Sequence, residues 1–114
     1  MSNRAEEPDS LTPLGRLSKT LADRAATMPA GSYTTKLMRG GPDRIGEKIH
    51  EEAGELIQAA QQYDGGDDDA ARQHFIYEAG DLIYHTMVML AYRGVDLAEV
   101  ASELGRREGT SGLV

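Results

Sequence analysis

The chain has no cysteine, no tryptophan and a single phenylalanine among its 114 residues. The absence of cysteine excludes disulfide bridges, cysteine-bound zinc and iron–sulfur clusters. Any metal ion must therefore be held by carboxylates, histidines or backbone oxygens, and such ligands suit hard cations such as Mg²⁺, with Mn²⁺ as a substitute. With so few aromatic residues, the apolar content comes mainly from alanine, leucine, isoleucine, valine and methionine, which favours helices over sheets.

Long apolar runs and excess positive charge are also missing. The longest apolar stretch, residues 82–92, is interrupted by His85 and Thr86 and is too short to cross a membrane. The first ten residues are polar and lack the apolar core of a signal peptide, so we expect a cytoplasmic protein. A net charge of −7 argues against nucleic-acid or membrane binding. A small anionic substrate is still compatible with this charge, because carboxylates can recruit divalent cations that receive phosphates.

Apolar residues recur at helical spacing along most of the chain, and alternating strand patterns are absent. The pattern predicts an all-α fold with helices over about residues 12–27, 43–63, 68–92 and 96–104. Residues 31–42 are expected to form a connector with at most a short turn of helix. Residues 1–10 are predicted to be a disordered lead-in, and residues 11–114 a single domain. A chain of this length buries a marginal core, roughly 65% of its unfolded surface, so a second subunit is expected to add burial.

Two pairs of acidic residues are the strongest functional signal. Glu52 and Glu55 form an E-x-x-E pair, with Glu51 beside them, and Glu78 and Asp81 form an E-x-x-D pair on the following helix. Residues three apart on a helix are about 60° apart around its axis, so each pair projects from one side. If the two helices are antiparallel, the pairs meet beside the apolar core. Carboxylates gathered in this way repel one another unless a cation binds, which predicts a Mg²⁺ site.

A solvated helix face is the alternative interpretation of each acidic pair, and it is the usual one for an isolated E-x-x-E. Asp81 is harder to explain in that way, because it directly precedes the most apolar part of its helix. His85 follows Asp81 by one turn, where it could orient a carboxylate or a water molecule or simply be a core residue. His50 follows Glu47 as E-x-x-H, a motif found in di-iron helical bundles. Such a bundle needs two of these motifs and the sequence has one, so we reject this interpretation.

Basic residues near the acidic pairs are candidate phosphate contacts. Lys36 and Arg39 lie in the connector, and Lys48 precedes Glu52 by one turn on the same side of its helix. Their positive charge could neutralise phosphate oxygens. As isolated residues they could equally be ordinary surface charges.

These motifs together resemble the phosphoribosyl-ATP pyrophosphatase family, over roughly residues 30–112. The broader E-x-x-E and E-x-x-D pattern is shared with MazG-like all-α nucleotide pyrophosphohydrolases. Two segments narrow the resemblance to the phosphoribosyl-ATP pyrophosphatase family: S-Y-T-x-K-L at residues 32–37 and Y-E-x-x-D-L-x-Y-H at residues 77–85. It implies a helical bundle completed by dimerisation. It also implies Mg²⁺-dependent hydrolysis of phosphoribosyl-ATP to phosphoribosyl-AMP and pyrophosphate, the second step of histidine biosynthesis.

The resemblance also implies roles for individual residues. The metal ligands would be Glu52, Glu55, Glu78 and Asp81. Glu51 would be a further ligand or the base for the attacking water, Glu52 would also be catalytic, and His85 would lie just behind the ligands. The phosphate contacts would be Lys36, Arg39 and Lys48.

Two alternative functions stay open at this point. A housecleaning pyrophosphohydrolase of free or damaged (d)NTPs would use the same acidic chemistry, and the S-Y-T-x-K-L connector argues against it. A non-catalytic helical dimerisation module would carry its acids only as surface charge. Such a module would show no effect of divalent cations on thermal melting.

Overall fold

The computed structural model describes residues 12–109, and this part of the chain contains five α-helices and no strands. They are α1 (Thr12–Thr27), α2 (Tyr33–Arg39), α3 (Gly41–Gln62), α4 (Asp69–Tyr92) and α5 (Leu97–Arg106). The prediction of an all-α fold is confirmed. The predicted disordered lead-in, residues 1–10, lies outside the described residues.

Four of the helices lie within a few residues of the bounds expected from sequence. The exception is the connector, where a seven-residue helix, α2, forms in place of at most a short turn. The side chain of Ser32 caps α2 by accepting a hydrogen bond from the backbone N–H of Thr35. Four residues of α2 are buried: Thr34, Thr35, Leu37 and Met38. Packing against the other helices therefore stabilises a segment too short to be helical alone.

A pair of glycines lets α2 turn directly into α3. Gly40 ends α2, and a Cβ there would collide with the side chain of Arg44. Gly41 has a φ of +72°, which only glycine adopts without strain. Pro42 follows in the first turn of α3, where its missing N–H is not needed. This sharp junction keeps α2 close to the N-terminal half of α3.

The longest two helices, α3 and α4, form the most extensive helix pair of the described chain. Residues 63–68 connect them, and the side chain of Asp68 caps α4 by accepting from the backbone N–H of Ala71. Such a short connection makes the two helices antiparallel neighbours. Around this hairpin, α1 and α2 complete a core whose buried residues are Leu21, Leu37, Met38, Ile45, Met87, Val88 and Ala91.

The last helix, α5, is fixed to α1 through its N-terminal cap. Asp96 and Glu99 form a reciprocal capping box at the start of α5. Ser18 of α1 donates to the carboxylate of Asp96 at 3.2 Å and accepts from the backbone N–H of Leu97 at 3.3 Å. These contacts hold the start of α5 against α1.

The hairpin leaves several large apolar side chains exposed in the single chain. Ile76 and Ile83 lie two turns apart on one side of α4 and are 47% and 45% exposed, and Ile57 of α3 is 59% exposed. In the second half of α4, Met87 and Val88 are buried, whereas Ile83 and Thr86 are exposed. None of the described helices combines the length and apolar character needed to cross a bilayer.

Candidate active site

The α3–α4 hairpin brings three of the predicted metal ligands together. Glu52 and Glu55 of α3 and Glu78 of α4 each place a carboxylate oxygen within 4.8 Å of the other two. The helical spacing puts the two α3 residues on one side, and the antiparallel pairing of the hairpin supplies the third. We refer to Glu52, Glu55 and Glu78 as the carboxylate cluster.

Two members of the carboxylate cluster are buried, and each has one oxygen without a hydrogen-bond partner. Glu52 is 6% exposed and Glu78 is 7% exposed. One carboxylate oxygen of each, Oε1, is buried and has no hydrogen-bond partner within the described chain. A buried carboxylate that lacks a partner is strongly unfavourable, so these oxygens need a cation or a proton.

Burial and mutual repulsion raise the pKa of two carboxyl groups of the cluster. Burial, followed by a hydrogen bond with Glu55 and the charges of Glu55, Asp81 and Glu78, raises the pKa of Glu52 to about 7. The pKa of Glu78 is raised as well, mainly by burial and by the charge of Glu55, against the opposing effect of His74. His74 lies one turn before Glu78, with its Nε2 3.6 Å from the carboxylate. A bound divalent cation would remove the need for protonation.

The donor set of the carboxylate cluster fits a hard divalent cation. All the available donors are carboxylate oxygens, and in number and type they match what Mg²⁺ uses when it keeps several water ligands. The two unpartnered Oε1 atoms of Glu52 and Glu78 are the donors that gain most from a cation. An ordinary solvated acidic face would leave these oxygens in water, where they need no further partner.

Asp81, the fourth predicted ligand, lies next to the cluster and is partly buried. Its charge raises the pKa of both Glu52 and Glu78. Among the described residues, the group of carboxylates within 4.8 Å of one another does not include it.

Glu51 points away from the cluster and pairs with Lys48. The Nζ of Lys48 donates to Glu51 Oε1 at 2.7 Å, one turn along α3. This hydrogen bond lowers the pKa of Glu51 and raises the pKa of Lys48. The charge of Glu52 also raises the pKa of Lys48.

The other two predicted phosphate contacts, Lys36 and Arg39, are exposed on α2. Neither forms an ion pair with another of the described residues. Lys36 lies on the same exposed side of α2 as Tyr33. The structure therefore leaves both side chains available to an anion without placing either in the cluster.

His85 is buried, 5% exposed, and both of its ring nitrogens have partners. Nδ1 is 2.9 Å from the backbone carbonyl oxygen of Asp81, and Nε2 is 3.1 Å from the hydroxyl of Tyr33. A carbonyl oxygen can only accept, so Nδ1 carries the proton, and neutral Nε2 accepts from the Tyr33 hydroxyl. His85 thus contacts the backbone of Asp81 rather than a carboxylate.

Sequence reasoning missed the hydrogen bonds between α2 and α4. Besides the Tyr33–His85 bond, the hydroxyls of Thr34 and Tyr84 lie 2.7 Å apart. These residues belong to the two segments that carry the family resemblance, but nothing in their spacing shows that the segments touch. Two adjacent positions on α2 are thereby bonded to two adjacent positions on α4.

Comparison with known proteins identifies similar sequences of one family. A family model described as phosphoribosyl-ATP pyrophosphohydrolase matches residues 14–108. The phosphoribosyl-ATP pyrophosphatase of Rhodopirellula baltica is 65% identical over 94% of this chain and 86% of its own length. That of Dechloromonas aromatica is 46% identical over 88% of this chain and 86% of its own length. The histidine biosynthesis bifunctional protein of Deinococcus radiodurans is 45% identical over 88% of this chain, which spans 43% of that protein.

Proposed function

The chain belongs to the phosphoribosyl-ATP pyrophosphohydrolase family, and we propose that its carboxylate cluster carries out that family's reaction with a bound Mg²⁺. The protein hydrolyses phosphoribosyl-ATP to phosphoribosyl-AMP and pyrophosphate in histidine biosynthesis. The observation that supports the metal most directly is the pair of buried, unpartnered oxygens on Glu52 and Glu78.

In this proposal Glu52, Glu55 and Glu78 hold the cation, with Asp81 as an adjacent ligand or water anchor. Mg²⁺ bound there would supply positive charge to the phosphoryl oxygens and to the leaving pyrophosphate. The protein's own contribution is to hold the carboxylates rigidly on two packed helices. Glu52 and Glu78 are nearly inaccessible to water in this packing.

Lys48 and Glu51 act as a pair in this proposal. Glu51 accepts from Lys48 and thereby fixes the ammonium group at the edge of the cluster. Because the same bond lowers the pKa of Glu51, the paired carboxylate is a weak proton acceptor. The arrangement therefore favours Glu51 as the residue that orients Lys48 towards phosphate oxygens, rather than as the base.

The proposed function is tested by pyrophosphate release from phosphoribosyl-ATP, with Mg²⁺ and with a chelator, alongside ATP and dNTP controls. We expect Mg²⁺-dependent release from phosphoribosyl-ATP and little from the controls. Preferential release from dNTPs would place the protein among the housecleaning enzymes. Full activity in the presence of the chelator would contradict the metal assignment.

We also propose that a second copy of the chain covers the apolar side of the α3–α4 hairpin. Ile57, Ile76 and Ile83 are each close to half exposed or more, on the two helices that carry the cluster. Exposed apolar side chains on a helix pair of this kind are typical of an interface. A homodimer would bury them and would supply the burial that a chain of this length lacks.

Ile83→Glu is expected to convert the dimer into monomers, because it replaces one of these exposed apolar side chains with a charged one. Sedimentation velocity measures the change directly. Gln73→Glu is the matched control, since it adds the same charge at an exposed polar position of α4. If wild type is already monomeric at micromolar concentration, or if both variants behave alike, the proposed interface is wrong.

A further inference from the structure

Tyr33 is an exposed aromatic residue whose polar end is nevertheless fixed. Its side chain is 50% exposed, while its hydroxyl bonds to Nε2 of the buried His85 at 3.1 Å. The two rings meet edge to face, with centroids 6.1 Å apart. An exposed tyrosine usually turns its hydroxyl to water and moves between rotamers, so this one is unusually constrained.

The residues that contact Tyr33 from inside the protein are themselves held in place. His85 is held at its other nitrogen by the carbonyl of Asp81, and its ring packs edge to face against Tyr84, with centroids 5.0 Å apart. Tyr84 in turn bonds to Thr34, the neighbour of Tyr33 on α2. The Tyr33 ring is therefore positioned by its own bond to His85, while the Thr34–Tyr84 bond holds the two helices together beside it.

The fixed ring lies at the edge of the phosphate-binding part of the site. The carbonyl oxygen that holds His85 belongs to Asp81, a predicted metal ligand, so two successive hydrogen bonds link the Tyr33 hydroxyl to the backbone beside the carboxylate cluster. Lys36, a candidate phosphate contact, is one turn along the same exposed side of α2. Tyr33 thus adjoins the charged groups of the site and is itself uncharged.

We propose that Tyr33 contacts the purine base of the substrate by stacking, and that His85 is the positioning residue that holds the ring in place. The assignment rests on the proposed function. Because the hydroxyl is occupied by His85, what Tyr33 offers a ligand is the carbon surface of its ring. Lys48 and the carboxylate cluster with its cation account for the phosphates, so the planar base is the part of the substrate that matches an aromatic surface.

Direct binding tests the base contact separately from turnover. Isothermal titration with phosphoribosyl-AMP, which carries the base, and with inorganic pyrophosphate, which does not, is carried out in the presence of Mg²⁺. Tyr33→Leu is expected to weaken phosphoribosyl-AMP binding about 10-fold or more and to change pyrophosphate binding less than about twofold. Tyr33→Phe keeps the ring and loses only its fixation, so we expect a smaller loss, about threefold.

Thr34→Val is the matched control, because it removes the neighbouring bond between α2 and α4 but no aromatic surface. It is expected to bind phosphoribosyl-AMP like wild type. Equal weakening by Thr34→Val and Tyr33→Leu would show that both act only by anchoring α2. Unchanged phosphoribosyl-AMP binding in Tyr33→Leu, or no binding by wild type, would also overturn the proposal. The pyrophosphate-release assay on wild type reports independently on the proposed function.

The positioning role of His85 has its own spectroscopic test. At about pH 8, where an ordinary histidine is neutral, nitrogen chemical shifts of the imidazole distinguish the two tautomers. We expect His85 to carry its proton on Nδ1 in wild type and in Tyr33→Phe, because the Asp81 carbonyl is still its acceptor, and we expect the Nε2 shift to move in Tyr33→Phe because that nitrogen loses its donor. Kinetically, Tyr33→Leu should raise KM about 10-fold with kcat nearly unchanged, as for lost binding rather than lost chemistry. A proton on Nε2 in wild type would contradict the positioning role.

Discussion

Glu52→Gln is expected to reduce kcat about 100- to 1,000-fold, the range seen when one group that stabilises transition-state charge is removed. Glu52 is the most perturbed acid of the site, it is 6% exposed, and its Oε1 has no partner within the described chain. Glutamine keeps the shape of the side chain but removes the charge that a divalent cation requires. The measurement is steady-state pyrophosphate release from phosphoribosyl-ATP at saturating Mg²⁺.

Glu47→Gln is the matched control for this loss. Glu47 lies on the same helix, is exposed, and pairs with Arg44 at 3.1 Å outside the carboxylate cluster. The control should keep wild-type kcat and wild-type dependence on Mg²⁺ concentration. Should Glu52→Gln retain activity within about threefold of the control, the carboxylate cluster would not be the catalytic site.

The metal-free protein is expected to lose stability as pH rises from about 4.5 to about 7. The pKa of Glu52 is raised from 4.5 to about 7 in the folded chain, so the folded state keeps a proton that the unfolded state gives up. At low pH the carboxyl group is protonated in both the folded and the unfolded state, and the fold is then most stable. As pH rises, the unfolded state releases the proton first, so stability falls until pH passes the folded-state pKa. At 1.36 kcal/mol per pKa unit the loss from Glu52 is about 3 kcal/mol. The raised pKa of Glu78 acts in the same direction.

Mg²⁺ should reverse this loss near neutral pH, because it binds the deprotonated cluster in the folded state only. Thermal melting with a chelator or with Mg²⁺, at fixed protein concentration, gives both effects in one experiment. We expect Tm to fall by roughly 10 °C across this pH range without metal and to recover with Mg²⁺. Glu52→Gln should show a shallower pH dependence and a smaller response to Mg²⁺. A wild-type Tm that does not respond to Mg²⁺ at any pH would favour a non-catalytic helical module.

The acidic pairs show how much of the site can be predicted from the spacing of residues along one helix. Helical geometry alone places Glu52 and Glu55 on one side of α3, and that much could be predicted. Spacing could not show that Glu52 and Glu78 are buried while Glu55 is exposed, since burial depends on how α3 and α4 pack. It also could not show that Glu51 turns away to Lys48 and that Asp81 lies beside the cluster rather than within it.

The connector marks the limit of prediction for the fold itself. A segment such as residues 31–42, with two glycines and a proline, gives little local signal for a helix. Helix α2 forms there because Thr34, Thr35, Leu37 and Met38 are buried against neighbouring helices. The contact of Tyr33 with His85 joins positions 52 residues apart, and no periodicity encodes such a pair.

The sequence by itself determined the helical class, the approximate bounds of four helices, the absence of sulfur ligands and the acidic pairs that identify the family. These features are local: they depend on propensity, on spacing along one helix and on composition. Only the tertiary structure decided which carboxylates are shielded from water and which tyrosine hydroxyl is held by a hydrogen bond. Both outcomes arise where α2, α3 and α4 meet, because desolvation and hydrogen bonding between distant segments exist only after the helices pack.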